Sequence, residues 1–182
     1  MEFNKVVKER RSIRQYKDEK VPHDVIMSIV DMARYAPSWK NTQITRYIIV
    51  ENEKTKELLS SEECLLQFSD NGPVIRNASA LVLVTYIKNR SGFERDGSYS
   101  TPLGDRWQNF DCGVAAQTFC LAAKSLGVGT GIMGYVSEEE IRKIIQIPED
   151  RGIACMITLG YPDEDPEAPQ RKEADELVMF IR

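Results

Sequence analysis

Apolar positions recur along this chain at two different spacings, and the changes of spacing mark its elements. Phe3, Val6 and Val7 predict a short helix ending near the run Arg10-Arg11-Ser12-Ile13-Arg14. Pro22 reads as the first position of a second helix with Asp24 in its first turn. There Ile26, Ile29, Val30 and Ala33 fall at i, i+3, i+4 and i+7. The pair Ala36-Pro37 ends that helix, because a residue before proline avoids helical geometry. Residues 47–50 read as a strand, and residues 53–68 as helical. Ala80–Ile87 is a near-continuous apolar run, the signature of a strand covered on both faces.

Residues 88–106 are polar and carry Gly92, Gly97, Pro102 and Gly104, which predicts a long mobile excursion. Residues 110–126 form the most apolar helix, apolar on more than one face and so buried centrally or in a subunit interface. Ser137 and Glu140 make a capping box for a helix bearing Ile141, Ile144 and Ile145. Residues 153–159 read as another core strand, residues 162–169 as a proline-rich acidic link, and residues 177–181 as a last strand. Helices and strands mix without strict alternation and without internal repeats, so the class is α+β.

With 182 residues the chain fits one domain, with room for an arm that needs a partner. No apolar stretch approaches the roughly 18 residues of a membrane span, and the first residues lack the apolar core of a signal peptide, so a cytoplasmic location is expected. A net charge of −4 argues against a general nucleic-acid binder. Cys64, Cys112, Cys120 and Cys155 show no C-x-x-C pairing and read as small buried hydrophobes. His23 is the single histidine, which disfavours a Ser-His-Asp triad or a multi-histidine metal site. Chemistry, if any, then belongs to a bound cofactor.

Three segments could hold one. In residues 10–14, three guanidiniums and a hydroxyl suit a phosphate, though a solvated basic turn has the same composition. Residues 36–43, Ala-Pro-Ser-Trp-Lys-Asn-Thr-Gln, follow an amphipathic helix; their polar side chains suit either a ligand or a turn. Residues 129–134 formally match G-x-G-x-x-G. A dinucleotide fingerprint follows a strand and opens a helix, whereas here a long helix precedes and the next begins only at Ser137. The glycines read better as backbone passing close to a flat ligand.

In this order and spacing, Arg-Arg-Ser-x-Arg, Ala-Pro-Ser-x-x-Asn-x-Gln, the Ile-Met-Gly-Tyr turn after Leu126-Gly127, and Leu159-Gly160-Tyr161-Pro162 with Arg171 resemble the nitroreductase family over nearly the whole chain. The resemblance implies a single domain, residues 1–182, folded as a three-layer α/β/α sandwich with a mostly antiparallel sheet. It also implies a homodimer whose C-terminal arm, about residues 163–182, exchanges a strand with the partner. The implied cofactor is FMN, with NADH or NADPH as co-substrate and a small electron acceptor such as a nitroaromatic or quinone, reduced in a ping-pong cycle.

By the same resemblance Arg10, Arg11, Ser12 and Arg171 hold the phosphate and ribityl chain. Arg14 and Asn71 meet the pyrimidine edge, and Pro37, Ser38, Trp39 and Asn41 reach the ring from the partner. The backbone at Ile132, Met133 and Gly134 faces N5 and O4. No side chain is assigned as a catalytic group, and no metal is implied. Gln43-Ile44-Thr45 replaces the family's Gln-Pro-Trp, no second lysine stands near Val74, and Met133 stands where some relatives have glutamate. Reductive dehalogenation, flavin destruction and FMN binding without turnover are the alternatives that the same resemblance carries.

Overall fold

The computed structural model describes residues 2–182. Its centre is a sheet of four antiparallel strands in the order β1-β2-β4-β3, namely β1 (Thr45–Val50), β2 (Ala80–Ile87), β3 (Gly129–Met133) and β4 (Arg151–Gly160). The two strands with the longest apolar runs are the two in the middle. Leu81, Val82, Leu83, Val84, Met156, Ile157 and Leu159 are fully covered, as strands flanked on both faces must be.

One face of the sheet packs on α2 (His23–Ala33) and α5 (Arg106–Ser125), with α1 (Phe3–Glu9) beside α5. Ile26, Ile29 and Ala33 from α2 meet Cys112, Ala116, Phe119 and Cys120 from α5 over Val82, Val84 and Ile157. Burial of a side chain such as Phe119 contributes about 1.5–3 kcal/mol. The opposite face packs on α3 (Glu53–Leu59), α4 (Asn71–Asn77) and α6 (Glu138–Ile144) through Leu59, Ile75, Leu81, Leu83, Met156 and Ile141. Three layers result, as the family resemblance implies.

Several boundaries differ. Pro22 is the N-cap of α2 and lies just outside the helix. The helical stretch expected over residues 53–68 stops at Leu59, and Leu66 and Gln67 adopt positive φ. A further helix, α4, follows, which sequence reasoning did not single out; Gly72 and Pro73 fall in its first turn, where proline costs no hydrogen bond. Its far end is tied down by the fully buried Lys56, whose ammonium donates to the carbonyl of Ala78 and pairs with Glu53 at 3.0 Å.

Helix α5 buries one face only: Gly113 and Gln117 lie exposed on the other, with Phe110 at 60% exposure. The excursion after β2 is not a free loop. Ser91 and Gly92 are buried and Phe93 bridges Tyr99, so its polar residues turn inward locally. Residues 177–181 form no strand within the chain. They lie open to solvent, from 49% at Val178 to 93% at Ile181.

Residues 129–133 form the edge strand β3, and Ser12 pairs with Thr130 in parallel along its outer side. A Cβ on Gly129 would sit 2.8 Å from the Ile13 side chain, and one on Gly131 2.8 Å from the Ile13 carbonyl. These glycines exist so that the opening stretch can dock. Gly131→Ala should therefore destabilise the flavin-free protein by about 1–3 kcal/mol, the usual scale of overpacking. Urea unfolding checks this, and unchanged stability would mean that the stretch does not dock there.

Candidate functional site

The opening stretch runs from the end of α1 along the outer edge of β3. Ile13 N–H donates to the Thr130 carbonyl at 2.9 Å, and the Ile13 side chain is buried. Arg10, Arg11 and Ser12 are half-buried, Arg14 and Gln15 are exposed, and Ile13 and Tyr16 are buried. Two residues advance about 6.6 Å, so residues 10 and 14 stand roughly 13 Å apart.

Tyr16 locks the arrangement from below. Its hydroxyl bonds the Ile13 carbonyl and Thr158 Oγ1, both at 2.8 Å, and burial pushes its pKa well above the ordinary tyrosine value, so it stays neutral. Among the described residues, none of Arg10, Arg11, Arg14 or Arg171 takes part in an ion pair. Arg11 differs from its neighbours: its Nη1 donates to the carbonyls of Lys8 at 2.7 Å and Arg10 at 2.9 Å, closing the end of α1. Its Nε is buried without a partner. A cavity of about 230 Å³ opens here, lined by Arg10, Arg11, Lys124, the 127–130 backbone and Glu164.

At the other end of the stretch, Arg14 shares an open cavity of about 510 Å³ with Pro73, Val74 and Asn77 from α4. Asn71 begins that helix, its N–H donating to the Phe68 carbonyl at 3.4 Å. Ile132, 51% exposed, and Gly134, where a Cβ would meet nothing within 4 Å, border open space at the end of β3. Met133 points into the core, so only its main chain is available to a ligand.

Pro37, Ser38, Trp39 and Asn41 lie elsewhere. They lead into β1, the opposite edge of the sheet from β3, three strand spacings or about 14 Å away. Their loop is tightly held. Asp111, buried in α5, accepts the Trp39 N–H at 3.1 Å on both oxygens and also the Ser91 hydroxyl; Ser91 in turn bonds Thr42 at 2.7 Å. Ser38 Oγ accepts the Gln43 N–H at 2.9 Å, and Lys40, Asn41 and Gln43 all have positive φ. Such backbone strain concentrates at functional sites. Trp39 packs against Trp107 with ring centroids 4.5 Å apart and the planes tilted by 44°, and its indole N–H is buried and unpartnered among the described residues.

Arg171 is exposed on the C-terminal arm, where among the described residues the hydrogen bonds beyond Glu164 lie within its own Glu173–Leu177 turn. The four thiols are inert: burial pushes Cys112 up to about 11 and Cys155 to about 12, and no group of metal ligands is present among the described residues. Sequence reasoning missed Asp111, although a lone acid on the buried face of an apolar helix is a visible signal. It also missed Glu164, which nothing distinguishes from its acidic neighbours.

A basic extended stretch on one edge of an antiparallel sheet, between two helical layers, defines the class of fold and site. The chain belongs to the nitroreductase family, whose profile matches residues 7–161. It is 32% identical over 98% of its length, and 87% of the other, to a Methanothermobacter thermautotrophicus protein provisionally named NADH dehydrogenase/NAD(P)H nitroreductase. It is 25% identical to the FMN reductase [NAD(P)H] of Bacillus subtilis, covering 99% of this chain and 80% of that one. It is 24% identical to the iodotyrosine deiodinase of Nematostella vectensis, covering 98% and 75%. Among solved structures, a nitroreductase family protein from Clostridium novyi NT superposes with a TM-score of 0.78 at 26% identity, covering 93% of this chain and 89% of that one. No helix among the described residues is long and apolar enough to cross a membrane.

Asp111→Ala should speed hydrogen exchange at the Trp39 amide and cost about 1–3 kcal/mol, the range for leaving buried donors unsatisfied. Unaltered protection at Trp39 would show that the loop is held by other contacts.

Proposed function

We propose that the chain is an FMN-dependent NAD(P)H oxidoreductase that acts as a homodimer on a nitroaromatic, quinone or similar small acceptor. One observation carries the reading: Arg10, Ser12 and Arg14 follow one another along the stretch that docks on the edge of β3, and among the described residues no carboxylate pairs with either guanidinium. A ligand carrying a phosphate at one end and an electron-accepting ring at the other fits that row. The unpartnered Arg11 Nε and the open backbone at Gly134 fit it too.

In this reading Arg10, Ser12 and Arg171 hold the phosphate, with Arg11 adding charge from beneath. Arg14 and Asn71 meet the pyrimidine edge, and the main chain at Ile132, Met133 and Gly134 faces the ring nitrogen side. The chemistry FMN supplies when bound is acceptance of hydride from NADH or NADPH and return of electrons to a second substrate. The Arg14 cation stabilises the negative charge that reduction places near it, while the remaining residues bind and orient.

The single domain spans residues 1–182, with residues 163–182 as an arm that packs on a second copy. Two features support the dimer. Residues 37–41 and 10–14 sit at opposite sheet edges, so they complete one site only across two chains. The exposed apolar row at residues 177–181 needs cover. A second reading, reductive dehalogenation, is supported by the deiodinase among the relatives.

Purified protein should show a flavin spectrum and oxidise NADH or NADPH with menadione or a nitrofuran. A colourless protein that takes up no FMN would remove the reading, and turnover confined to halotyrosines would favour the second. Arg10→Ala should weaken FMN binding by about 1.5–3 kcal/mol with little change in potential. Arg14→Ala should instead lower the two-electron potential by about 30 mV, which corresponds to roughly 1.4 kcal/mol. The reverse pattern would invert the placement of the cofactor along the stretch. Removing residues 175–182 should lower both dimer content in sedimentation and flavin content; a stable flavin-loaded monomer would refute the dimer.

A further inference from the structure

The carboxylate of Glu164 accepts the backbone N–H of Arg14 and, at 3.1 Å, that of Gln15, from sequence separations of 150 and 149. Those two N–H groups belong to the peptide units on either side of the Arg14 Cα. Fixing both peptide planes fixes φ and ψ of Arg14 together, and with them the direction in which its Cβ leaves the chain. Consecutive N–H groups converging on one anion also form a concave arrangement that favours a full negative charge.

The surrounding bonds hold the next residues but leave Arg14 itself to Glu164. Asp163 N–H donates to the Gln15 carbonyl at 3.0 Å, Lys17 N–H to the Tyr161 carbonyl at 2.9 Å, and Tyr16 N–H to Asn77 Oδ1 at 2.7 Å. Glu164 is the one ionised acceptor in this joint, and bonds to ionised groups are roughly twice as strong as neutral ones. The Arg14 side chain, meanwhile, is exposed and makes no ion pair among the described residues, so its backbone sets the direction in which it leaves the chain.

Resting on the FMN site proposed above, we infer that Glu164 is a positioning residue that aims Arg14 at the pyrimidine edge of the flavin by clamping the two peptide groups flanking it. The sign of its effect on potential separates this role from a simple charge effect. A carboxylate near the ring disfavours the anionic reduced flavin, so its removal on charge grounds alone raises the potential. If Glu164 aims Arg14, its removal loses the cation and lowers the potential.

The test compares Glu164→Ala, Glu164→Asp, Glu164→Gln and Arg14→Ala in the full-length FMN-loaded protein, with amide exchange measured on the flavin-free form. Glu164→Ala should speed exchange at the Arg14 and Gln15 amides at least about tenfold. It should also reduce the preference for reduced over oxidised FMN about tenfold, a fall of roughly 30 mV. Glu164→Asp keeps the charge but shortens the reach, and should lower the potential in the same direction. Glu164→Gln still offers an acceptor and should recover most of the wild-type behaviour. In the Arg14→Ala background, Glu164→Ala should add less than about a twofold further change, since the two act through one group. An unchanged or raised potential in Glu164→Ala, an unchanged one in Glu164→Asp should the alanine variant fail to fold, or an undiminished effect in the Arg14→Ala background overturns the role. A wild-type protein that takes up no FMN overturns the proposed function, and this role falls with it. Normal FMN uptake with unchanged potential in the variants overturns this role alone.

Discussion

The docking of residues 12–16 along the free edge of β3 is the contact on which the rest of the site depends. It joins the first basic residues to the fourth strand of the sheet across more than a hundred positions. It is possible only because Gly129 and Gly131 leave room for Ile13, and because the Tyr16 hydroxyl supplies the Ile13 carbonyl with a partner inside the core.

The same docking covers one of the sheet's two edges and leaves the other, β1, open. An uncovered edge is a template for a further strand. The chain carries an apolar segment at its own end that finds no strand to join within the monomer. The order β1-β2-β4-β3 also sets the strained loop before β1 apart from the basic stretch beside β3. A site using both is a property of two chains, which gives the exposed tail and the split residues one common explanation.

Carboxylates do much of the tying. Asp111 binds a loop amide and a hydroxyl from two segments that precede its helix, and Glu164 clamps residues near the start of the chain. Each acts over a sequence separation at which apolar packing alone leaves backbone polar groups unsatisfied. The buried Lys56 does the same with opposite sign for α4, donating to a carbonyl that the helix end leaves open.

Local pattern determined a good deal by itself. The apolar face of α2, the two-sided burial of β2 and β4 and the Ser137 N-cap of α6 are written in short-range patterns, since each depends on residues within a few positions of one another; the Glu140 half of the expected capping box does not form, because the Ser137 N–H donates to the Cys64 carbonyl instead. The order of the basic, small-polar and glycine-bearing segments was enough to mark the family. Tertiary structure alone decided the rest. Whether glycines at 129 and 131 admit a ligand or a neighbouring strand depends on what lies opposite, and Ile13 is remote in sequence. That the far end of α4 is tied down depends on Lys56, and that the two peptide groups flanking Arg14 are held depends on Glu164. Contacts of this kind leave no periodic trace, because their partners meet only after the sheet has closed.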